Sequence, residues 1–431
     1  MRYLLFCLLL VFASTVDAQS TEPKIVFTDL ENYWKAYDQI VRTSDSLKRL
    51  ELIQALYIDR GTEGLHALKD VRRYRADEWV DNMLKYPNYW NSIRANTSSL
   101  VNDTAQIALY LRKLKEVYPA LKPATFYFAV GAFRSGGTYH GDKVLFGSEF
   151  MLAQKSAKLE ELPEQLRKTI LAYAPYDVPL TAVHEYIHTQ QKRWENQSIL
   201  HLCVAEGVAE FVSTLITQKP LSPAVQFGKQ HPEEVLNRFM VEILRDNDVW
   251  NWLWSENRNV LKVNDLGYYI GYEICERYYQ QATDKKQAIQ DLISLDYENE
   301  AAFARLVDGS KFLPLSVRDI ERGYEQMRPT VKRILELEKG NQNISSSLKT
   351  ITVEFSEPMS PCCRSVDFDE SDGITPLRIK KHIGWSADAM RYTFEVEDLK
   401  PNTSYGLIIS NFAKADGGNR LAPYTIRFRT R

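Results

Sequence analysis

The chain of 431 residues carries a formal net charge of −2, with 26% charged and 44% hydrophobic residues. A chain of this length exceeds what one hydrophobic core normally organises, which predicts two domains. The nearly balanced charge lacks the basic excess of nucleic-acid-binding proteins, so we predict no nucleic-acid partner.

Residues 1–18 have the pattern of a secretory signal peptide. Arg2 supplies a short positive start, residues 3–13 form an apolar run, and small residues at Val16 and Ala18 precede a cleavage site. The run is too short to span a membrane, and no later stretch reaches about 18 consecutive apolar residues. We therefore predict export to the periplasm or the extracellular space after cleavage near Ala18, with no membrane span.

Residues 30–118 show apolar side chains at three- and four-residue spacing, which is typical of amphipathic helices. Aromatic side chains at this spacing normally belong to a core, so we assign them no binding role. The next segment changes pattern. Residues 125–130 and 143–146 predict two strands of a hairpin around a glycine-rich loop at 131–141.

A helix is predicted to begin at Asp177, a suitable N-cap, with Pro179 in its first turn. On this helix His184 and His188 are four residues apart and project from the same face. Two imidazoles in that geometry can bind one Zn²⁺, and Glu185, about 100° round the axis, can reach a water on the metal. The H-E-x-x-H pattern is typical of zinc hydrolases.

A second helix, predicted over residues 199–216, can supply the third ligand. Hydrolytic zinc sites have three protein ligands and one open position. Glu206 follows His188 at a distance that lets the second helix fold back antiparallel and present its carboxylate to the metal. Glu210, one turn further on, can hydrogen-bond a ligand histidine, and Gly207 leaves room for close helix packing.

Further helices are predicted downstream. Residues 239–254 favour a helix with three tryptophans near its end, and Gly267 and Gly271 permit close packing of the helix that follows. Four cysteines remain after the signal peptide, too few for a disulfide scaffold. Cys203 is predicted to be a small buried side chain rather than a zinc ligand. Adjacent cysteines seldom bridge to each other, and the role of the Cys362–Cys363 pair is left open.

The polar, breaker-rich segment at 340–348 predicts a domain boundary between residues 19–340 and residues 341–431. The second domain alternates polar and apolar residues in short runs, which favours a small β-sandwich. These runs are residues 351–355, 392–396, 405–409 and 424–429. The predicted fold class is α+β.

Two short sequences carry a family resemblance: H-E-Y-I-H at 184–188 and E-G-V-A-E at 206–210. They resemble the gluzincin group of zinc metallopeptidases and, more narrowly, a bacterial family of predicted zinc-dependent proteases of unassigned substrate. G-A-F-R-S-G-G-T at 131–138 and L-G-Y-Y-I-G-Y at 266–272 add to the resemblance. It spans about residues 30–330 and implies a mainly helical, zincin-like domain with a small sheet. The implied zinc ligands are His184, His188 and Glu206, with Glu185 as the base.

The resemblance implies three further features. Tyr268 or Tyr269 is expected to donate a hydrogen bond to the oxyanion, although each also suits a core position. The strand pair before the metal helix either pairs with substrate backbone or only closes a sheet. V-E-F-S-E-P-M-S at 353–360 resembles the opening of bacterial immunoglobulin-like domains, which implies a module that contacts another protein or a cell-surface polymer.

These observations predict an exported zinc-dependent metallopeptidase acting on a peptide or protein. Glu185 takes a proton from the attacking water and passes it to the leaving amine. Two alternatives stay open. One is a catalytically inactive zincin fold that serves as a secreted binding or adhesion protein. The other is a hydrolase for a cell-wall peptide or a modified amide.

Overall fold

The computed structural model describes residues 23–154, 156–173, 177–195, 198–245, 249–254, 259–338, 340–415 and 418–431. The predicted signal peptide, residues 1–18, lies outside the described residues. Helices dominate the chain up to residue 326 and strands dominate the remainder, so the α+β prediction is confirmed.

The α-helices differ widely in length, and the two longest each have 19 residues. Their bounds are α1 Thr28–Ile40, α2 Ser46–Ile53, α3 Glu63–Arg72, α4 Ala76–Lys85, α5 Pro87–Arg94, α6 Ser99–Val117, α7 Ser148–Met151, α8 Glu164–Tyr173, α9 Val178–His188, α10 Ile199–Thr217, α11 Pro223–Gln230, α12 Pro232–Glu242, α13 Leu266–Gln281, α14 Lys285–Ile293, α15 Glu300–Ser310 and α16 Val317–Gln326. A π-helical turn, Gln54–Ile58, continues α2, and 3₁₀ turns cover Ala95–Ser98, Val249–Asn251 and Leu335–Leu337.

The strands are short and fall into two groups, one before α7 and one after α16. Their bounds are β1 Lys24–Val26, β2 Thr125–Ala129, β3 Gly137–His140, β4 Lys143–Gly147, β5 Val331–Ile334, β6 Thr350–Phe355, β7 Ser365–Phe368, β8 Thr375–Pro376, β9 Ile379–Trp385, β10 Arg391–Val396, β11 Ser404–Ser410 and β12 Tyr424–Arg429.

The chain divides into two compact units, residues 1–190 with 213–219 and residues 191–212 with 220–431. The domain boundary predicted at residue 340 stays a prediction. In the first unit the aromatic residues of the N-terminal helices are buried, as expected for a core. Tyr57 and Trp79 also donate hydrogen bonds to the carbonyl oxygen of Val130, at 2.6 and 2.9 Å. These bonds fix the helices against the end of β2.

The sheet of the first unit has the strand order β1-β2-β4-β3. The predicted hairpin of residues 125–130 with 143–146 is wrong, because β2 and β4 pair in parallel. β4 instead forms a hairpin with β3, whose residues were assigned to the glycine-rich loop. The turn between them contains Gly141, whose φ of +60° favours glycine. The sheet therefore has β3 as one edge strand and β1 as the other.

Helix α10 is rich in apolar residues along its whole length. Its length and composition would suit a membrane span, but 89% of its 18-residue window is buried inside the protein, as in a core helix. The helix predicted over residues 239–254 is wrong beyond residue 242. Helix α12 ends at Glu242, and Val249–Asn251 form a 3₁₀ turn. Residues 246–248, D-N-D, which lie between α12 and this turn in the sequence, are poor helix formers.

The C-terminal strands form two sheets. One has the order β5-β6-β10-β9; the other has the order β12-β11-β7, with β8 paired to β11. The four strands predicted here are confirmed as β6, β10, β11 and β12. Alternate residues of both sheets, such as Val353, Phe394, Leu407 and Phe428, share one hydrophobic core. This packing follows from the polar–apolar alternation of the sequence.

The loop between β6 and β7 holds the adjacent cysteines. A disulfide joins Cys362 to Cys363. The expectation that such neighbours seldom bridge is wrong for this pair.

Candidate metal centre

Helix α9 begins where the sequence predicts. The side chain of Asp177 accepts the N–H of Leu180 at 3.1 Å, and Pro179 lies in the first turn. An N-cap oxygen satisfies one of the orphan donors at a helix start. Lys219 adds an ion pair to the same carboxylate, at 2.7 Å. A cap hydrogen bond and an ion pair, both made by Asp177, therefore stabilise the start of α9.

The other end of α9 is fixed by Tyr186. Its hydroxyl donates to the carbonyl of Lys122 at 2.8 Å and accepts the N–H of Ala124 at 3.1 Å. Burial raises the pKa of Tyr186 to about 12, so its hydroxyl keeps its proton and donates throughout the physiological range. These bonds fix α9 next to the start of β2.

The helix places His184 and His188 on one face. Their Nε2 atoms are 3.2 Å apart and the two rings are nearly perpendicular, at 77°. Two ligands of one tetrahedral zinc, each about 2.1 Å from it, lie roughly 3.4 Å apart. His188 is buried and His184 is partly buried. The pair therefore has the separation that a shared metal ion requires.

Glu206 completes the cluster. The ligand atoms of His184, His188 and Glu206 all lie within 4.8 Å of one another. Glu206 is 9% exposed and His188 is 6% exposed. A buried carboxylate beside two imidazoles normally indicates a bound cation or a hydrogen-bond network. Two nitrogens and one oxygen are a donor set that suits Zn²⁺.

The helix that carries Glu206 packs unusually closely on α13. A Cβ atom added to Gly207 would lie 2.1 Å from the carbonyl carbon of Gly271, and one added to Gly271 would lie 1.7 Å from the carbonyl oxygen of Cys203. Cys203 is fully buried and forms no disulfide, as predicted for a small core side chain. The close packing predicted at Gly271 is confirmed, whereas Gly207, expected to let α10 approach the first metal helix, packs against α13 instead.

A contact that the sequence analysis missed lies next to Glu206. The indole Nε1 of Trp254 donates to Oε1 of Glu206 at 3.2 Å. Trp254 is 46% exposed. No local sequence pattern links Trp254 to Glu206, because they are 48 residues apart. The only signal in the sequence is the cluster of tryptophans that contains Trp254.

Glu185 faces the edge strand β3. A Cβ atom added to Gly137 would lie 2.9 Å from Oε1 of Glu185. Two residues further along β3, Tyr139 stacks on His188, with ring centroids 5.2 Å apart and an interplanar angle of 15°. Successive odd positions of a strand share one face, so Gly137 and Tyr139 both turn towards α9. Neither residue was predicted to lie at the site, because residues 131–141 were expected to form a loop.

Glu210 is buried one turn beyond Glu206. Its Oε1 accepts the N–H of Ser222 at 3.3 Å. The predicted hydrogen bond from Glu210 to a ligand histidine stays a prediction.

The two candidate oxyanion donors lie on different faces of α13. Tyr269 is 1% exposed, and its ring covers Gly228 of α11. Burial and the neighbouring Glu273 raise the pKa of Tyr269 to about 12. Tyr268 is partly buried, and at 100° per residue it lies about 60° from Gly271, the residue in contact with α10. Tyr268 is therefore nearer to the helix that carries Glu206, while the catalytic role of either tyrosine stays a prediction.

The comparison with known proteins supports a metal site. A family described as predicted Zn-dependent protease (DUF2268) matches residues 172–299, less than a third of the chain. The matched segment contains α9, α10 and α13 with all of the predicted site residues. No curated protein and no solved structure matches the chain.

Proposed function

We propose that this protein is an exported zinc-dependent metallopeptidase. The observation that carries the proposal is the cluster of His184, His188 and Glu206, whose ligand atoms lie within 4.8 Å of one another. Similarity to a family of predicted Zn-dependent proteases over the same segment supports it. These three side chains would hold the metal, which when bound supplies Lewis acidity and lowers the pKa of water in its open position.

Glu185 is the group that we propose moves the proton. It follows His184 directly on α9, so it points to the side of the histidine face, and it is packed against Gly137 of β3. A carboxylate there can accept the proton of the attacking water and later donate it to the leaving amine. Tyr268 is the better placed of the two tyrosines to donate a hydrogen bond to the developing oxyanion.

The edge strand β3 supports a peptide as the substrate. An extended peptide can add to an exposed sheet edge through main-chain hydrogen bonds. β3 is one of the two edge strands of its sheet, and its residues Gly137 and Tyr139 contact Glu185 and His188. A peptide added at this edge would run beside both the proposed base and a proposed ligand.

The proposal also includes export of the protein and a binding role for its C-terminal strands. Residues 1–18 favour secretion, with cleavage near Ala18. The two sheets around one core are compatible with an immunoglobulin-like sandwich that includes β5, Val331–Ile334, besides the strands within residues 341–431. We propose that this part binds another protein or a cell-surface polymer.

Metal content and turnover test the function together. Zinc per chain is measured by mass spectrometry in the wild type and in Glu206→Ala, Glu185→Gln and His140→Ala. His140 lies exposed on β3, so its variant is the matched control for loss of a polar side chain beside the site. Activity is measured with a broad library of fluorogenic peptides.

We expect about one zinc per chain in the wild type, loss of zinc in Glu206→Ala and no change in His140→Ala. Glu185→Gln should retain zinc and lose turnover, because its amide cannot accept the proton. Absence of bound zinc after zinc is supplied would overturn the proposal. Zinc without turnover on any peptide would favour the inactive binding protein, or a hydrolase for a different amide.

A further inference from the structure

We propose that Trp254 is a positioning residue for Glu206, an inference that rests on the proposed zinc site. The indole Nε1 of Trp254 donates to Oε1 of Glu206 at 3.2 Å. An N–H bonded to one carboxylate oxygen restricts rotation of the group, so this contact orients the carboxylate of Glu206. Partners of this kind tune metal affinity by orienting the ligand.

The backbone of Trp254 is held in place for this contact. Its φ is +58°, in the left-handed region that bulky residues rarely adopt. Its N–H donates to Oδ1 of Asp265 at 2.7 Å, and Asp265 also has a positive φ, of +59°. Unfavourable backbone conformations persist where the surroundings enforce them, and they are concentrated at functional sites.

The neighbouring Trp252 differs from Trp254 in its burial and in its hydrogen-bond partners. Trp252 is fully buried, and its indole donates to Oε2 of Glu242 at 2.7 Å. The carbonyl of Trp252 also accepts the N–H of Gly267 at 2.9 Å. Trp252 therefore anchors the segment, whereas Trp254 is 46% exposed and directs its N–H at the buried carboxylate of Glu206.

The test compares Trp254→Phe with Trp254→Ala. Phenylalanine keeps an aromatic ring next to Trp250, whose ring centroid is 6.0 Å from that of Trp254, but it lacks the indole N–H. Trp34→Phe is the matched control, because it removes an indole N–H that donates to Thr97 at the same distance, 3.2 Å, in a different part of the chain. The dissociation constant for zinc is measured by competition with a chromophoric chelator, and the melting temperature is measured with and without zinc.

We expect Trp254→Phe to weaken zinc binding by about 10- to 100-fold, the effect typical of a lost partner to a metal ligand. The metal-free melting temperature should stay near that of the wild type, and the rise in melting temperature on adding zinc should shrink. Trp34→Phe should bind zinc as the wild type does.

Wild-type zinc affinity in Trp254→Phe, with a loss only in Trp254→Ala, would overturn the inference and assign Trp254 a packing role. If zinc binds the wild type tightly, such a result leaves the proposed function intact. A wild type that binds no zinc would instead overturn the proposed function and this inference together.

Discussion

Replacement of Gly271 by alanine should separate the two helices that bury Glu206. The added Cβ would lie 1.7 Å from the carbonyl oxygen of Cys203 and 2.8 Å from the Cα of Gly207. Real Cβ contacts are essentially never closer than 3.0 Å, so α13 and α10 must move apart by about 1.3 Å. Both obstructing atoms belong to the backbone, which cannot yield by a change of rotamer.

The expected decrease in the free energy of unfolding follows from overpacking of the contact between α10 and α13. Overpacking of a close-packed interior typically costs about 1–3 kcal/mol, and a backbone obstruction places this variant near the upper end. Because Glu206 is the neighbour of Gly207, the same displacement should move its carboxylate and weaken zinc binding.

The free energy of unfolding is measured by urea denaturation of the full chain, and zinc affinity by chelator competition. Gly309→Ala is the control, since a Cβ there meets its nearest atom, of Tyr278, at 3.9 Å. Alanine inside a helix is favoured over glycine by roughly 0.5–1 kcal/mol, so this control should be neutral or slightly stabilising. Gly271→Ala with the stability and zinc affinity of the wild type would refute the close-packing argument.

Three further outcomes follow from the structure. Burial raises the pKa of Glu149 to about 7 from 4.5, so the native state binds a proton more tightly than the unfolded state. The contribution of Glu149 to the free energy of unfolding is fully present below pH 4.5 and falls by about 3 kcal/mol as the pH rises to 7. Glu149→Gln should reduce the fall in unfolding free energy between pH 4.5 and 8 by that amount; an unchanged pH profile contradicts the assignment. Asp177→Ala removes the cap that accepts the Leu180 N–H and should cost about 0.5–2 kcal/mol in denaturation experiments, with Asp177→Asn largely preserving stability. Gly137→Ala should displace Glu185, lowering kcat about tenfold or more while zinc content stays at the wild-type level. An unchanged kcat would show that Glu185 accommodates the methyl group.

The interactions between sequence neighbours could be predicted from the chain alone. Histidines four residues apart on a helix must share a face, and the N-cap at Asp177 and the strands after residue 349 follow from equally short-range patterns. Glu206 could be predicted in a similar way, because the helix that carries it follows His188 after a short link. These patterns depend on local backbone geometry, so no tertiary information was needed.

The tertiary structure decided what surrounds those residues. β3 was assigned to a loop because Gly137 and the glycines that flank the strand are typical of turns, and only its pairing with β4 makes it the edge strand that contacts α9. The bond from Trp254 to Glu206 joins residues 48 apart in sequence. Such contacts depend on how helices and strands pack, and sequence periodicity contains no information about partners at that separation. The three proposed ligands could therefore be predicted from the sequence, whereas the residues that position Glu206 and face Glu185 could not.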